Sequence, residues 1–188
     1  MKKSFLLLAF IFALGSVSLP QTPPPDPQLE GIWEGYDGEW GHVSRQLIEL
    51  ANVIPADKYG WRPAPGVRSI SEVFMHIAIA NFYLLSVTGP KMPADITSDE
   101  MEETVKSKPE VIAYLKRSLE AVKTARAQLK PGDLERKVKI QGKTVDVDGI
   151  DLRIIIHANE HMGQLVAYAR MNGIVPPWSQ PPTPAAKK

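Results

Sequence analysis

The chain has no cysteine among its 188 residues. This excludes disulfides, thiolate metal ligands, a cysteine nucleophile and a lipid-modified cysteine anchor. It leaves the redox compartment open, because an exported protein can simply lack cysteine. The chain also lacks an excess of either charge: 22 basic residues face 21 acidic ones, a net charge of +1. Without Lys2 and Lys3, which lie in a segment expected to be removed, the balance becomes 20 to 21, a net of −1. No block of Lys and Arg forms a stripe, so nucleic acid is not an expected partner. There is no internal repeat and, beyond the N-terminus, no segment expected to cross a membrane. Apolar residues make up 44% and charged residues 23%, the composition of an ordinary globular protein of one domain with a real core.

The N-terminus carries the strongest positional signal. MKKS is a basic start, FLLLAFIFAL an uninterrupted apolar run, and GSVSLP a stretch of small residues. This order predicts a secretory signal over residues 1–19, with Ser16 and Ser18 at −3 and −1 of a cleavage site, and hence a periplasmic or extracellular protein. The run is about half of the ~20 residues that span a hydrocarbon core. An uncleaved leader is the alternative, and only then is the membrane an expected partner. Of the 17 prolines, Pro20, Pro23, Pro24, Pro25, Pro27, Pro176, Pro177, Pro181, Pro182 and Pro184 lie at the two ends. They predict a Pro-rich linker over 20–27, a folded domain over 28–178 and a disordered Pro-rich tail over 179–188.

Four helical segments are expected within the domain. The first runs from about Leu29 to Val53, with Ile32, Tyr36, Trp40, Val43, Leu47, Leu50 and Ile54 on one apolar face. Gly31, Gly35, Gly38 and Gly41 weaken its first half by up to ~1 kcal/mol each relative to alanine. A Pro- and Gly-punctuated loop follows over 54–68, with Tyr59 and Trp61 as anchors. Ser69 and Glu72 form an S-x-x-E capping box opening the second helix, whose face Ile70, Val73, Phe74, Ile77 and Leu84 points inward until Gly89-Pro90. Residues 90–106 read as a polar connection. Ser107 to Glu110 is a second S-x-x-E, opening a helix with Val111, Ile112, Leu115, Leu119, Val122 and Leu129 on its face and Pro131-Gly132 at its end. Lys116, Arg117, Lys123, Arg126 and Lys130 read as its solvated side. Weak alternation over 134–149 allows a short hairpin around Gly142. The last helix spans about Ile150 to Asn172, with Asp148 as cap and Gly173 as stop. The expected fold is therefore all-α, a four-helix bundle whose long connections allow a crossover.

HANEHMGQ, residues 157–164, places two of the four histidines four residues apart. On a helix that spacing stacks them on one side, so His157 and His161 can present ring nitrogens to one point. Such a pair is more often bland than ligating. Here the helix is apolar nearly all round, and buried imidazoles need polar partners or a metal. A third histidine, His76, sits among apolar residues in VFMHIAIAN, beside Ala80 and Tyr83 on the next two turns. A divalent metal held by the second and last helices would satisfy all three and leave a position open for water or substrate. His42 has no such company and reads as structural or solvated. HANEH also matches the inverted zinc-protease signature H-x-x-E-H. That reading fails, because no Asp or Glu follows Glu160 to serve as third ligand.

IPADKYGWRPAPGVRSISEVFMHIAIAN, followed about eighty residues later by HANEHMGQLVAYARMNGIVPP, resembles the DinB-like superfamily over about residues 28–178. The resemblance implies a four-helix bundle with one long crossover, zinc or nickel on a histidine triad, and frequently a homodimer. By residue it assigns His76, His157 and His161 as ligands, with Asn81 and Glu160 as neighbours of the site. Characterised relatives include metal-dependent thiol transferases and isomerases that use low-molecular-weight thiols such as bacillithiol or mycothiol. The leader is a departure, since it sends the chain away from the compartment where such thiols are kept.

The expected function is that of an exported metal-dependent enzyme, a transferase or hydrolase, in which the metal activates a thiol or water against a small-molecule substrate. A non-catalytic metal-binding or dimerisation bundle is the alternative, and a plain core histidine trio a third. Glu160 and Tyr83 are the candidate catalytic side chains. Glu160 is offset by about 100° from His161, which aims it at the bundle edge or a neighbouring subunit. Tyr83 could face the same cavity as His76 or simply pack. Trp40, Tyr59, Trp61 and Trp178 read as core and loop anchors rather than a ligand cage.

Overall fold

The computed structural model describes residues 34–180. The expected signal, the linker, the first residues of the first helix and the tail from residue 181 lie outside the described residues. Five helices and one hairpin follow in order: α1 Gly35–Val53, α2 Ile70–Thr88, α3 Met101–Thr104, α4 Lys108–Ala127, β1 Lys137–Ile140, β2 Lys143–Asp146 and α5 Val147–Met171. Single 3₁₀ turns occupy Ala56–Lys58 and Pro177–Ser179, so the chain keeps regular structure one residue into the segment expected to be tail.

The four long helices pack in pairs, α2 against α4 and α5, and α1 against the same two. Sequence neighbours α1 and α2 are thus joined mainly through the later helices. Trp40, Val43, Leu47 and Leu50 of α1 meet Phe74 and Ile77 of α2, Leu115 of α4, and Ile154 and Leu165 of α5 in one core. Truncating one such buried leucine or isoleucine to alanine costs about 2–5 kcal/mol. Within the described residues the periodic faces read from the sequence are those that are buried, with Tyr36, Ile112 and Leu129 only half so. Helix α2 is buried on most of its circumference, because α4, α5, α3 and β1 all pack on it. Its length and composition would also suit a membrane span, but 72% of its apolar window is covered by the protein itself.

Local chemistry fixes the start of α2 firmly. Ser69 N–H donates to Glu72 Oε2 at 2.9 Å, and Glu72 N–H to Ser69 Oγ at 3.4 Å, the reciprocal box expected from the sequence. The preceding loop supplies two more acceptors: Ile70 N–H donates to Trp61 O and Ser71 N–H to Tyr59 O. Tyr59 in turn donates to Ala51 O at 2.7 Å and stacks on Phe74. The loop is thereby tied to both α1 and α2.

Other local expectations need correction. Ser107 makes no side-chain cap to α4; its hydroxyl donates to the Glu110 carboxylate instead, so the second S-x-x-E is not a capping box. Helix α4 ends at Ala127, before Pro131-Gly132. Helix α5 starts at Val147, with Asp146 at its cap position and Asp148 in its first turn. Asp146 caps nothing with its side chain, because Lys137 across the hairpin holds it. The polar connection 90–106 contains the short helix α3. Helix α5 is apolar on most sides but not buried on all of them, since Leu152, Ile156 and Met171 are exposed.

The hairpin is real. Val138 pairs with Val145 and Ile140 with Lys143, leaving the two-residue loop Gln141-Gly142. Both loop residues have positive φ, 47° and 76°, as a type I′ turn requires. At the far end of α5, Gly173 at φ +73° lets Ile174 N–H reach Ala169 O and its own N–H reach Arg170 O. That is a Schellman stop.

Candidate metal centre

His76 lies two turns into the firmly capped α2, and His157 and His161 lie one turn apart in the middle of α5. Packing of α2 on α5 brings the three rings together, with centroids 4.9 Å (76–157), 4.7 Å (76–161) and 4.6 Å (157–161) apart. One ligand atom from each lies within 4.8 Å of the others. His157 is buried, and His76 and His161 are half-buried.

The outer nitrogens decide which inner nitrogens are free. His76 Nδ1–H donates to Glu102 Oε1 at 2.5 Å. His161 Nδ1–H donates to Gln164 Oε1 at 2.8 Å, and Gln164 Nε2–H donates to Tyr168 Oη at 2.7 Å. Tyr168 is buried and packs edge-on against Trp61 at 5.4 Å. With the proton on Nδ1, each of these two rings carries its lone pair on Nε2. His157 brings its Nε2 to 3.0 Å from His76 Nε2, while its buried Nδ1 has no hydrogen-bond partner among the described residues.

Burial favours the neutral form of His157 and His161. Burial, and then the charges His161 and His76 would carry, lowers the pKa of His157 to about 4. Burial also lowers that of His161, partly opposed by its bond to Gln164. Neutral imidazole is the ligating form. Two nitrogens on a tetrahedral zinc at ~2.0–2.1 Å lie about 3.3 Å apart, close to the 3.0 Å between His76 and His157. Donor type, protonation and spacing therefore fit a divalent cation, with three protein nitrogens and a position left over.

Glu102 is the neighbour that the sequence does not reveal. It lies on α3, inside the stretch read as a plain polar connection. Its second oxygen accepts from Arg68 Nε at 2.7 Å. Burial raises the carboxyl pKa, but bonds from His76 and Arg68 outweigh it and hold the group below the usual carboxylate range. No motif marks this glutamate among Glu100, Glu102 and Glu103; the available signal was only that an acidic segment follows the helix bearing a lone apolar-face histidine.

The other candidates are placed as follows. Glu160 is exposed and bound to Arg153 at 3.1 and 3.2 Å. Tyr83 is 44% exposed and lines a cleft of about 630 Å3 together with His76, Ala80, Arg68, Glu102 and Gln141. Asn81 turns from the histidines toward α4, donating to Ser118 Oγ at 3.2 Å. His42 accepts from Arg45 Nη2 at 3.1 Å, far along α1. The aromatic residues are dispersed: Trp40 donates to Leu119 O, and Trp61 packs on Tyr168. A larger cavity, about 740 Å3, lies between α1 and α4 and shares no residue with the triad.

These features define a mostly helical protein with a three-histidine cluster able to hold a metal. A family model described as the DinB superfamily matches residues 39–165, which takes in all three histidines. The chain belongs to the DinB superfamily. A DinB-like protein of Bacillus cereus superposes with a TM-score of 0.67 at 22% identity, covering 77% of this chain and 95% of that one. A DinB-like protein of Bacillus subtilis, YjoA, gives 0.59 at 19% identity, covering 78% and 99%. At these identities the likeness is one of fold. Among curated proteins no match is found.

Proposed function

We propose that this protein is an exported metal-dependent enzyme of the DinB type, with a four-helix bundle and long crossover carrying zinc or nickel on His76, His157 and His161. The observation that supports it is the convergence of three imidazoles, two of them held by Glu102 and Gln164 so that Nε2 faces inward. A divalent cation held there lowers the pKa of a coordinated thiol or water and so supplies thiolate or hydroxide near neutral pH. The chain's own residues bind and orient. The bonds from Glu102 and Gln164 set the rings, α2 and α5 exclude water from one side, and the cleft beside His76 admits a small substrate.

Metal analysis of protein purified without a nickel column tests the first half; one zinc or nickel per chain is the expected result, and a metal-free protein that takes up neither sinks it. Turnover of a low-molecular-weight thiol with an alkylating electrophile, or hydrolysis of an activated ester, tests the second. N-terminal sequencing of the exported protein tests the leader, with cleavage after Ser18 expected.

A non-catalytic metal-binding or dimerising bundle is the second reading, favoured by one observation: Glu160, a candidate base, is engaged by Arg153 at the surface. Exposed Leu152, Ile156 and Met171 on α5 would suit a homodimer. Metal content without turnover in any thiol or water assay would decide for it.

A further inference from the structure

We propose that Glu102 is a positioning residue for the histidine triad, and that through it metal binding fastens α3 and its connection onto the bundle. The inference rests on the triad's holding a divalent cation.

An imidazole has two neutral tautomers, and only one of them puts a lone pair on Nε2. Glu102 Oε1, 2.5 Å from His76 Nδ1, accepts the proton there and selects that tautomer. The same bond fixes the ring's rotation about its stem, so that Nε2 faces His157. Carboxylates set behind ligating histidines in this way commonly account for 10- to 100-fold in metal affinity. The other oxygen is held by Arg68 at 2.7 Å, which keeps the carboxylate from swinging away. Arg68 directly precedes the cap of α2, so the carboxylate is braced against the element that carries His76.

The segment supplying Glu102 has little else to hold it. Helix α3 has four residues, none of them buried. From Gly89 to Ser107, Ile96 is the buried side chain, while Met92, Met101 and Val105 are half-buried. Asp95 adds a bond to Arg117 at 2.7 Å, between two side chains close to half exposed. Docking of this segment therefore depends strongly on the bonds that Glu102 makes to His76 and Arg68. Binding linkage is reciprocal: the factor by which the docked carboxylate strengthens metal binding is the factor by which metal strengthens docking. The docked segment also supplies one wall of the cleft, through Asp99, Glu100, Glu102 and Glu103. Loading the triad would thus steady the wall that faces a substrate.

The experiment measures zinc affinity of the metal-free full chain by competition with a chelating dye, for wild type, Glu102→Gln and Glu102→Ala. Hydrogen exchange of peptides covering residues 97–106 is followed with and without zinc. Glu102→Ala is expected to lose 10- to 100-fold in affinity. Glu102→Gln should lose less, because its side-chain carbonyl still accepts from Nδ1–H. Zinc should slow exchange over 97–106 in wild type and leave it unchanged in Glu102→Ala. Zinc affinity of Glu102→Ala within twofold of wild type, or exchange over 97–106 indifferent to bound zinc, overturns the inference while the metal site stands. A wild type that binds no zinc overturns both.

Discussion

Helix α5 buries polar groups against its neighbours at two places and treats them in opposite ways. At its middle, His157 and His161 meet His76, and three ring nitrogens converge with no cation of the protein's own among them. Near its start, Asp151 is just as buried, but Arg126 of α4 reaches it at 2.8 Å and spreads its guanidinium over the Tyr36 ring at 4.6 Å. One cluster is complete as a protein; the other presents donors for something from outside. Burial of polar side chains therefore does not by itself mark a site. What marks it is a set of donors that the protein leaves without an opposite charge.

The largest expected effect breaks the first cluster. His161→Ala should lower zinc affinity by more than the ~100-fold typical of a supporting residue, with helical circular dichroism retained. Retention of wild-type affinity would mean that the rings converge without ligating. The next breaks the second cluster. Arg126→Ala leaves Asp151 buried without its cation and should cost about 2–3 kcal/mol, somewhat below the range for fully enclosed pairs because the arginine keeps some solvent contact. Arg126→Met with Asp151→Leu should recover most of that in chemical denaturation, since burying neither charge removes both the attraction and the desolvation.

Acidity sharpens the comparison, because the two clusters titrate with opposite sign in the metal-free protein. The folded-state pKa of His157 is lowered, to about 4, by burial and then by its fellow histidines. Its contribution to stability is thus present above the ordinary histidine value of ~6.5 and lost as pH falls toward 4. Burial raises the Asp151 pKa, more than Arg126 lowers it. Its contribution is present below the ordinary carboxylate value and lost as pH rises through the raised one. Denaturation midpoints across pH 4–7 should show a shallower loss on acidification for His157→Asn, and Asp151→Asn should remove a dependence of the other direction. The smallest effect lies outside both clusters: Gly142→Ala, at φ +76°, should cost about 1 kcal/mol and leave zinc affinity unchanged.

Much of this was legible along the chain. Leu47, Leu50, Ile77 and Leu115 declare their buried faces by spacing, and Ser69 with Glu72 declares the start of α2. His157 and His161 share a helix face by arithmetic. Asp148 misled because α5 begins one residue before it, at Val147, and the second S-x-x-E misled because the Ser107 hydroxyl turns to the Glu110 carboxylate and leaves the backbone amide alone. Arg126 looked solvated because its spacing places it beside other cations, and the carboxylates that draw it in come from distant helices, Asp151 of α5 at 2.8 Å and Asp37 of α1 at 3.9 Å. Glu102 was invisible because nothing local distinguishes it from Glu100 and Glu103.

The sequence by itself determined the periodic faces, the hairpin turn and the apolar stretches of chain that carry His76, His157 and His161, since these depend on neighbours a few residues away. The tertiary structure decided that His76 stands against a pair 81 residues further on, that a glutamate from the connection backs it, and that Asp151 rather than any histidine receives Arg126. Contacts between distant segments follow from how whole helices pack, and helix packing is set by the shape of the entire core rather than by any short stretch of residues.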